Sequence, residues 1–352
     1  DDAYVGNDGG DVGGIEVAGA IKWFDVAKGY GFILPDGGDI GDVLIHVTCL
    51  RRDGFQTALE GSRVVCLVKR GDRGLQAFRV LSMDKIGGKV TIHDVALDIA
   101  DVPWAGRQMW APDAAFKDGT YYLYFPVKDK SDVFRMGVAT SKSPTGPFKA
   151  QPAPMKGSYS IDPNVFKDDD GQHYMVFGGI WGGQLQKWAS GSYDPNGSNS
   201  DLGKPDEAAL TPKIAKLSGD MLEFAEAPRD LVILDEAGKP LKAGDTNRRF
   251  FEGAWVFKRD GNYYLTYSTG DTHFLVYATA KTPYGPFTYR GKIMEPVEGW
   301  TTHHSIVPIG GKWYLFYHDI QLSGKTHLRN VKVTELNFNA DGSIKTIQPL
   351  KK

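Results

Sequence analysis

Cysteine is nearly absent from this chain of 352 residues: Cys49 and Cys66 stand in the first quarter, with no His/Cys cluster beside them. That scarcity argues against a disulfide framework and a zinc site, and buried reduced thiols are the expectation. No charge of one sign dominates, with 41 Lys and Arg against 43 Asp and Glu. The balance removes the electrostatic footprint of a dedicated nucleic-acid or membrane-surface protein and points to a neutral partner. No apolar run approaches the roughly 18 to 20 residues a membrane span needs. The acidic opening Asp1-Asp2-Ala3-Tyr4 is unlike a secretory signal, so a cytoplasmic protein is expected. Helical periodicity is scarce as well, with one helix expected near 210–217, and the chain reads as all-β.

What is present falls into three parts. Residues 1–14 are rich in Gly and Asp and cannot bury enough surface to offset their ordering entropy, so a mobile tail is expected. From 15 to 84 the pattern turns to short alternating runs, such as Ala20-Ile21-Lys22-Trp23-Phe24, Gly31-Phe32-Ile33-Leu34 and Val64-Val65-Cys66-Leu67-Val68. Separated by Gly and Asp turns, they suit a small five-stranded barrel. In the remainder, 85–352, a longer unit repeats. An aromatic strand recurs at Tyr121–Phe125, His173–Phe177, Tyr263–Tyr267 and Trp313–Tyr317, and a polar or acidic residue heads the strand before each. Those heads are Asp113, Asp162, Glu252 and the pair His303-His304. Periods of this length indicate propeller blades or solenoids. An insertion, roughly 189–249, interrupts the series and is expected to decorate one face.

In a propeller, residues at equivalent strand heads converge at one mouth of the channel. Carboxylates gathered there suit glycoside hydrolysis, in which one protonates the leaving oxygen while another activates water from the far side of the sugar. The donor must stay protonated, which burial and a neighbouring negative charge both favour. Taken singly, an acid before Pro or Gly is more often a turn or cap residue. Repetition in register shifts that balance, and Glu252, between Phe251 and Gly253-Ala254-Trp255, is the most informative; Asp162 follows.

With these motifs in order, the chain from about Lys89 resembles glycoside hydrolase family 43. The residues that carry the resemblance are Trp110-Ala111-Pro112-Asp113, Ser160-Ile161-Asp162-Pro163-Asn164-Val165-Phe166, Phe251-Glu252-Gly253-Ala254-Trp255 and His303-His304-Ser305-Ile306-Val307. The resemblance implies a five-bladed propeller and an exo-acting, inverting enzyme that removes terminal β-xylosyl or α-L-arabinofuranosyl residues. Xylo-oligosaccharides or arabinose-decorated oligosaccharides would be its substrates. It further implies Glu252 as general acid and Asp162 as the carboxylate that modulates the acid's pKa. Trp110, Asp113, Trp181 and Arg329 would contact substrate, and His303 would lie near a hydrated Ca²⁺ in the channel. No organic cofactor is implied.

One part of the family pattern is missing. Its general base is an Asp in an Asp-Pro-Ser-like segment of the first blade, and no such segment precedes Trp104. The first blade is therefore expected to be incomplete, the general base unknown and activity reduced. Asp36, Asp39, Asp42 or a carboxylate from another copy in a homo-oligomer would have to substitute. The stretch before it, about 17–83, resembles cold-shock domains, OB-like barrels, through Gly19–Phe24, Lys28–Ile33 and Asp42–Val47. Trp23, Phe24, Tyr30, Phe32 and His46 could form a base-stacking platform for single strands. Nine acidic and nine basic residues between 15 and 84 make nucleic acid an improbable main partner. The alternatives to hydrolysis are a crippled carbohydrate-binding or scaffold propeller, and a single-stranded nucleic-acid-binding protein.

Overall fold

The computed structural model describes residues 14–25, 28–37, 40–55, 58, 60–71, 74–83, 93–200, 203–300 and 302–349. Most of the expected tail, the junction near 84 and 85, and Asp39 lie outside the described residues. Two compact units divide between Ile92 and His93.

The first unit is built from β1 (Ile15–Asp25), β2 (Tyr30–Pro35), β3 (Val43–His46), α1 (Val47–Arg52), β4 (Arg63–Gly71) and β5 (Gly74–Met83). The strands close into a barrel in the order β1-β2-β3-β5-β4, with β3 and β5 parallel. Alternation decides what fills it: Val17, Ile21, Ile33, Val43, Ile45, Val64, Cys66 and Val68 point inward. Each such side chain contributes about 1.5–3 kcal/mol on burial. Both cysteines are free and buried. Burial pushes the Cys49 thiol up to about 11 and the Cys66 thiol up to about 12, which keeps both protonated and inert near neutrality.

The second unit is four twisted sheets. The first holds β6 (Ala105–Arg107), β7 (Asp113–Lys117), β8 (Thr120–Asp129), β9 (Phe134–Ser141) and β10 (Lys149–Ala150). The second holds β11 (Asn164–Lys167), β12 (His173–Phe177), β13 (Lys213–Lys216) and β14 (Arg229–Asp230). The third runs from β15 (Ile233–Leu234) to β19 (Phe287–Met294), then β18 (Leu275–Ala280), β17 (Asn262–Ser268) and β16 (Glu252–Arg259). The last has three strands, β20 (Ser305–Ile309), β21 (Lys312–Asp319) and β22 (Asn330–Leu336).

The leading strands β7, β11, β16 and β20 pack against one another in succession. Aromatic and aliphatic side chains fill the spaces between blades, as expected of β cores. Tyr124 and Met136 meet Met175 and Phe177; Phe166 and Tyr174 meet Val256 and Tyr263; Phe257 and Tyr264 meet Ile306 and Leu315. Four blades among the described residues correspond to the four repeats in the sequence.

Two expectations are corrected. The stretch 210–217 is not helical: Lys213–Lys216 form β13, antiparallel to β12, with Ile214 and Ala215 buried. The open edge of β12 supplies backbone partners that a four-residue segment after Pro212 could not supply to itself, so sheet pairing overrides helix propensity. Nor is the insertion a decoration. It provides β13 and β14 to the second blade and β15 to the outer edge of the third, where β15 runs parallel to β19.

Candidate active site

Asp162 sits in a sharply turned segment, with Ser160 at φ +63° and Asp162 at φ +57°. Few non-glycine residues adopt this region, and the surroundings must hold it there. Ser160 does part of that: its hydroxyl donates to the Gly183 carbonyl at 2.8 Å and accepts from the Gly179 N–H at 3.0 Å. Gly179 must be glycine, because a Cβ there would lie 2.5 Å from Ile161 and 3.3 Å from the Glu252 Cβ. The Gly178–Gly183 segment therefore presses Ile161 and Glu252 together from two blades.

The acids are then fixed by hydrogen bonds. Asp162, 5% exposed, accepts from the Gly253 N–H through Oδ2 at 3.0 Å. Its Oδ1 is 3.7 Å from His303 Nδ1. This places Asp162 against the residue following Glu252. Burial works to lower the His303 pKa, yet Asp162, with help from Glu252 and Asp113, holds it above the usual histidine value.

A second relay ties three strand heads together. Asp113 Oδ2 accepts from the Val165 N–H at 2.7 Å and from Asn164 Nδ2 at 3.2 Å, and Asn164 Oδ1 accepts from the Val256 N–H at 2.8 Å. Burial pushes the Asp113 carboxyl up to about 6.

These elements enclose a cavity of about 950 Å³ whose lining includes Trp110, Asp162, Trp181, Glu252, Trp300, His303, His318, His327 and Arg329. Asp162 and Glu252 are its carboxylates among the described residues. Its aromatic wall is braced from behind: Trp110 packs on Phe134 at 4.7 Å, and Trp181 sits edge-on to Phe251 at 5.0 Å and 6.4 Å from Trp300. On the fourth blade, Arg329 Nη1 donates to His318 Nε2 at 3.1 Å, and Nε donates to the Thr326 carbonyl at 2.9 Å. His318 Nε2 also accepts from the His303 N–H at 2.9 Å. With both donors on Nε2 the ring proton belongs on Nδ1. Burial and the Arg329 charge bring the His318 pKa down to about 4.

The structure thus brings Glu252, Asp162, Trp110, Trp181, Arg329 and His303 around one cavity. Asp113 is placed differently: it is absent from the lining, and its Oδ2 is turned into the second blade. In the barrel, Trp23 lies 5.3 Å from Phe32 and 5.6 Å from Tyr30, Phe24 packs against the barrel core, and His46 caps α1. Asp36 is paired with Arg63, and Asp42 with Lys22 at 2.7 Å.

Sequence reasoning missed Trp300 and His318. Trp300 stands three residues before the His303 motif, and strand alternation puts His318 on the face opposite Tyr317; both signals were available. For calcium, no group of three or more His, Cys, Asp or Glu able to hold a metal occurs among the described residues. Calcium wants six to eight oxygen ligands, so a hydrated ion near His303 would draw most of its shell from water.

Comparison with known proteins agrees with this geometry. Residues 91–344 match glycosyl hydrolases family 43, and residues 17–83 match the 'cold-shock' DNA-binding domain. A xylosidase/arabinosidase of Bacteroides ovatus is 55% identical over 276 residues, covering 78% of this chain and 84% of that protein. The crystal structure of a family 43 beta-xylosidase/alpha-arabinofuranosidase from a compost microbial metagenome, in complex with xylotriose and in a calcium-free form, superposes with a TM-score of 0.75 at 53% identity. The superposition covers 96% of each chain. The barrel is 49% identical over 65 residues to a cold shock-like protein of Stigmatella aurantiaca, covering 18% of this chain and 94% of that protein. By its ordered strand-head motifs, its blades and its cavity, this chain belongs to glycosyl hydrolases family 43, with a cold-shock domain ahead of the hydrolase domain.

Proposed function

We propose that the second unit removes terminal β-xylosyl and/or α-L-arabinofuranosyl residues from xylo-oligosaccharides or arabinose-decorated oligosaccharides, with inversion. Glu252 is the proton donor and Asp162 its modulator. The observation that carries this reading is the 3.0 Å hydrogen bond from the Gly253 N–H to Asp162, which seats a fixed negative charge beside the acid within the cavity. The names of the B. ovatus and compost relatives support the sugar class. Trp110 and Trp181 offer apolar ring faces, and Arg329 offers donors for hydroxyl groups.

An inverting pair of carboxyls lies about 6.5–9.5 Å apart with water between them. Asp162 is assigned as modulator, with Oδ2 accepting from the Gly253 N–H and Oδ1 facing His303, and the general base is unassigned. Hydrolysis is therefore expected to run slowly, since general-base assistance is worth about 10²–10⁴ in rate. Release of nitrophenol from aryl β-xyloside and aryl α-arabinofuranoside tests the reading. Xylobiose turnover that Glu252→Ala leaves unchanged would remove Glu252 as acid. Wild-type inactivity alongside calorimetric binding of xylotriose would favour a carbohydrate-binding propeller.

The ring cluster of Trp23, Tyr30 and Phe32 favours a second reading for the first unit alone, single-stranded nucleic-acid binding. Salt-dependent binding of an oligonucleotide, lost in Trp23→Ala, is its test.

A further inference from the structure

We propose that Asp319, which lies outside the cavity, is a positioning residue for sugar binding: its buried carboxylate fixes the 320–329 loop and so sets where the Arg329 guanidinium meets substrate hydroxyls. This rests on the substrate contact proposed for Arg329 and deepens it.

The loop joins β21 to β22 and delivers Thr326, His327 and Arg329 to the cavity wall. Apolar packing does not fix its course, since Leu322 and Leu328 are 62% and 51% exposed. Polar contacts must do so, and those at its base converge on one side chain. Asp319, the last residue of β21, is paired across the strands with Asn330, the first of β22, and is only 1% exposed. Its Oδ1 accepts from Asn330 Nδ2 at 2.6 Å and from the Gln321 N–H at 3.1 Å, and its Oδ2 lies 2.6 Å from Lys332 Nζ. Asn330 Oδ1 in turn accepts from the Leu322 N–H at 3.3 Å, and Lys332 Nζ also donates to Gln321 Oε1. One carboxylate therefore holds both ends of the loop.

Strand alternation gives neighbouring residues of β21 opposite tasks. His318 lines the cavity, and its Nε2 accepts from Arg329 Nη1 at 3.1 Å. Asp319 is absent from that lining. The strand end that bears both is clasped to the segment before β20. The His318 N–H donates to Thr302 Oγ1 and the Thr302 hydroxyl donates to the His318 carbonyl, each at 2.9 Å, while the Ile320 N–H donates to the Glu298 carbonyl at 3.1 Å. The guanidinium is thus aimed from two sides, by His318 directly and by Asp319 through the loop. Only a carboxylate serves here, because an amide would turn a donor toward the Lys332 ammonium and cancel the ion pair.

The experiment measures xylotriose binding by calorimetry on the full chain, a readout independent of turnover. Asp319→Asn should weaken binding about tenfold, and adding Lys332→Gln, which restores a matched pair without charge, should recover part of the loss. Asn330→Ala, which leaves the ion pair in place, should weaken binding several-fold. Arg329→Ala should itself bind more weakly than the wild type, and in that background neither Asp319→Asn nor Asn330→Ala should change the Kd by more than about twofold. A role in general stability would instead add the same loss in both backgrounds. Such additivity would overturn the inference, as would wild-type affinity in Asp319→Asn or in Arg329→Ala. If Asp319→Asn does not fold, Asn330→Ala carries the same cycle. Failure of the wild type to bind xylotriose would instead remove the proposed function beneath it.

Discussion

Replacing Asp113 by Asn removes a charge while keeping an oxygen able to accept from Val165 and Asn164, and the consequence depends on pH in a calculable way. Burial raises the Asp113 carboxyl from 3.8 to about 6. Between those values the folded chain binds a proton that the unfolded chain has lost. The wild type therefore loses stability as pH rises through that window and levels off above it. A difference near 2.2 units at about 1.4 kcal/mol per unit gives about 3 kcal/mol, and about 2 once the residue's partial exposure is counted. Below that window carboxyl and amide are both neutral, and the amide oxygen keeps the hydrogen bonds from Val165 and Asn164. Asp113→Asn should thus be about as stable as the wild type near pH 4 and about 2 kcal/mol more stable near pH 7.5. All tryptophans but Trp23 lie in the second unit, so urea unfolding followed by tryptophan fluorescence reports the relevant transition. A stability difference between variant and wild type that is the same at both pH values would refute the claim that burial raises this carboxyl to about 6.

Gly270→Ala would place a Cβ 2.1 Å from the Phe251 ring at a φ of +75°; a loss of about 2–4 kcal/mol in urea unfolding is expected, and a neutral result would mean that Phe251 is not fixed against this turn. His318 titrates near 4 when folded, below its ordinary 6.5. It contributes stability above pH 6.5 that is lost as pH falls toward 4, at most about 3 kcal/mol, and KM should rise as pH falls through about 4, where the folded ring takes its proton and Arg329 loses its acceptor. A KM flat from pH 5 to 3 would contradict that arrangement.

Local periodicity made the blades legible. Each aromatic strand follows a turn and is headed by a polar residue, and the strand heads marked Asp162 and Glu252 before any coordinates were needed. The insertion was illegible for the opposite reason: Ile233–Leu234 find their partners at Phe287–Thr288, more than fifty residues away, and Lys213–Lys216 carry no alternation of their own. Asp113 shows a subtler limit. Its position at a strand head suggested substrate, yet the side chain is spent on Asn164 and Val165, a choice that depends on which way a neighbouring blade presents its amides. Arg329 was identified from its resemblance, but the imidazole that orients it, His318, belongs to no motif.

The claim on which the account depends is that Glu252 delivers a proton to the leaving oxygen. Comparing Glu252→Ala with the wild type on xylobiose and on dinitrophenyl β-xyloside tests it most directly. A leaving group that departs as a stable anion needs no proton. The account predicts a loss of about 10²–10⁴ in kcat/KM on xylobiose and a far smaller loss on the dinitrophenyl substrate. Equal losses on the two substrates, or none on xylobiose, would contradict it.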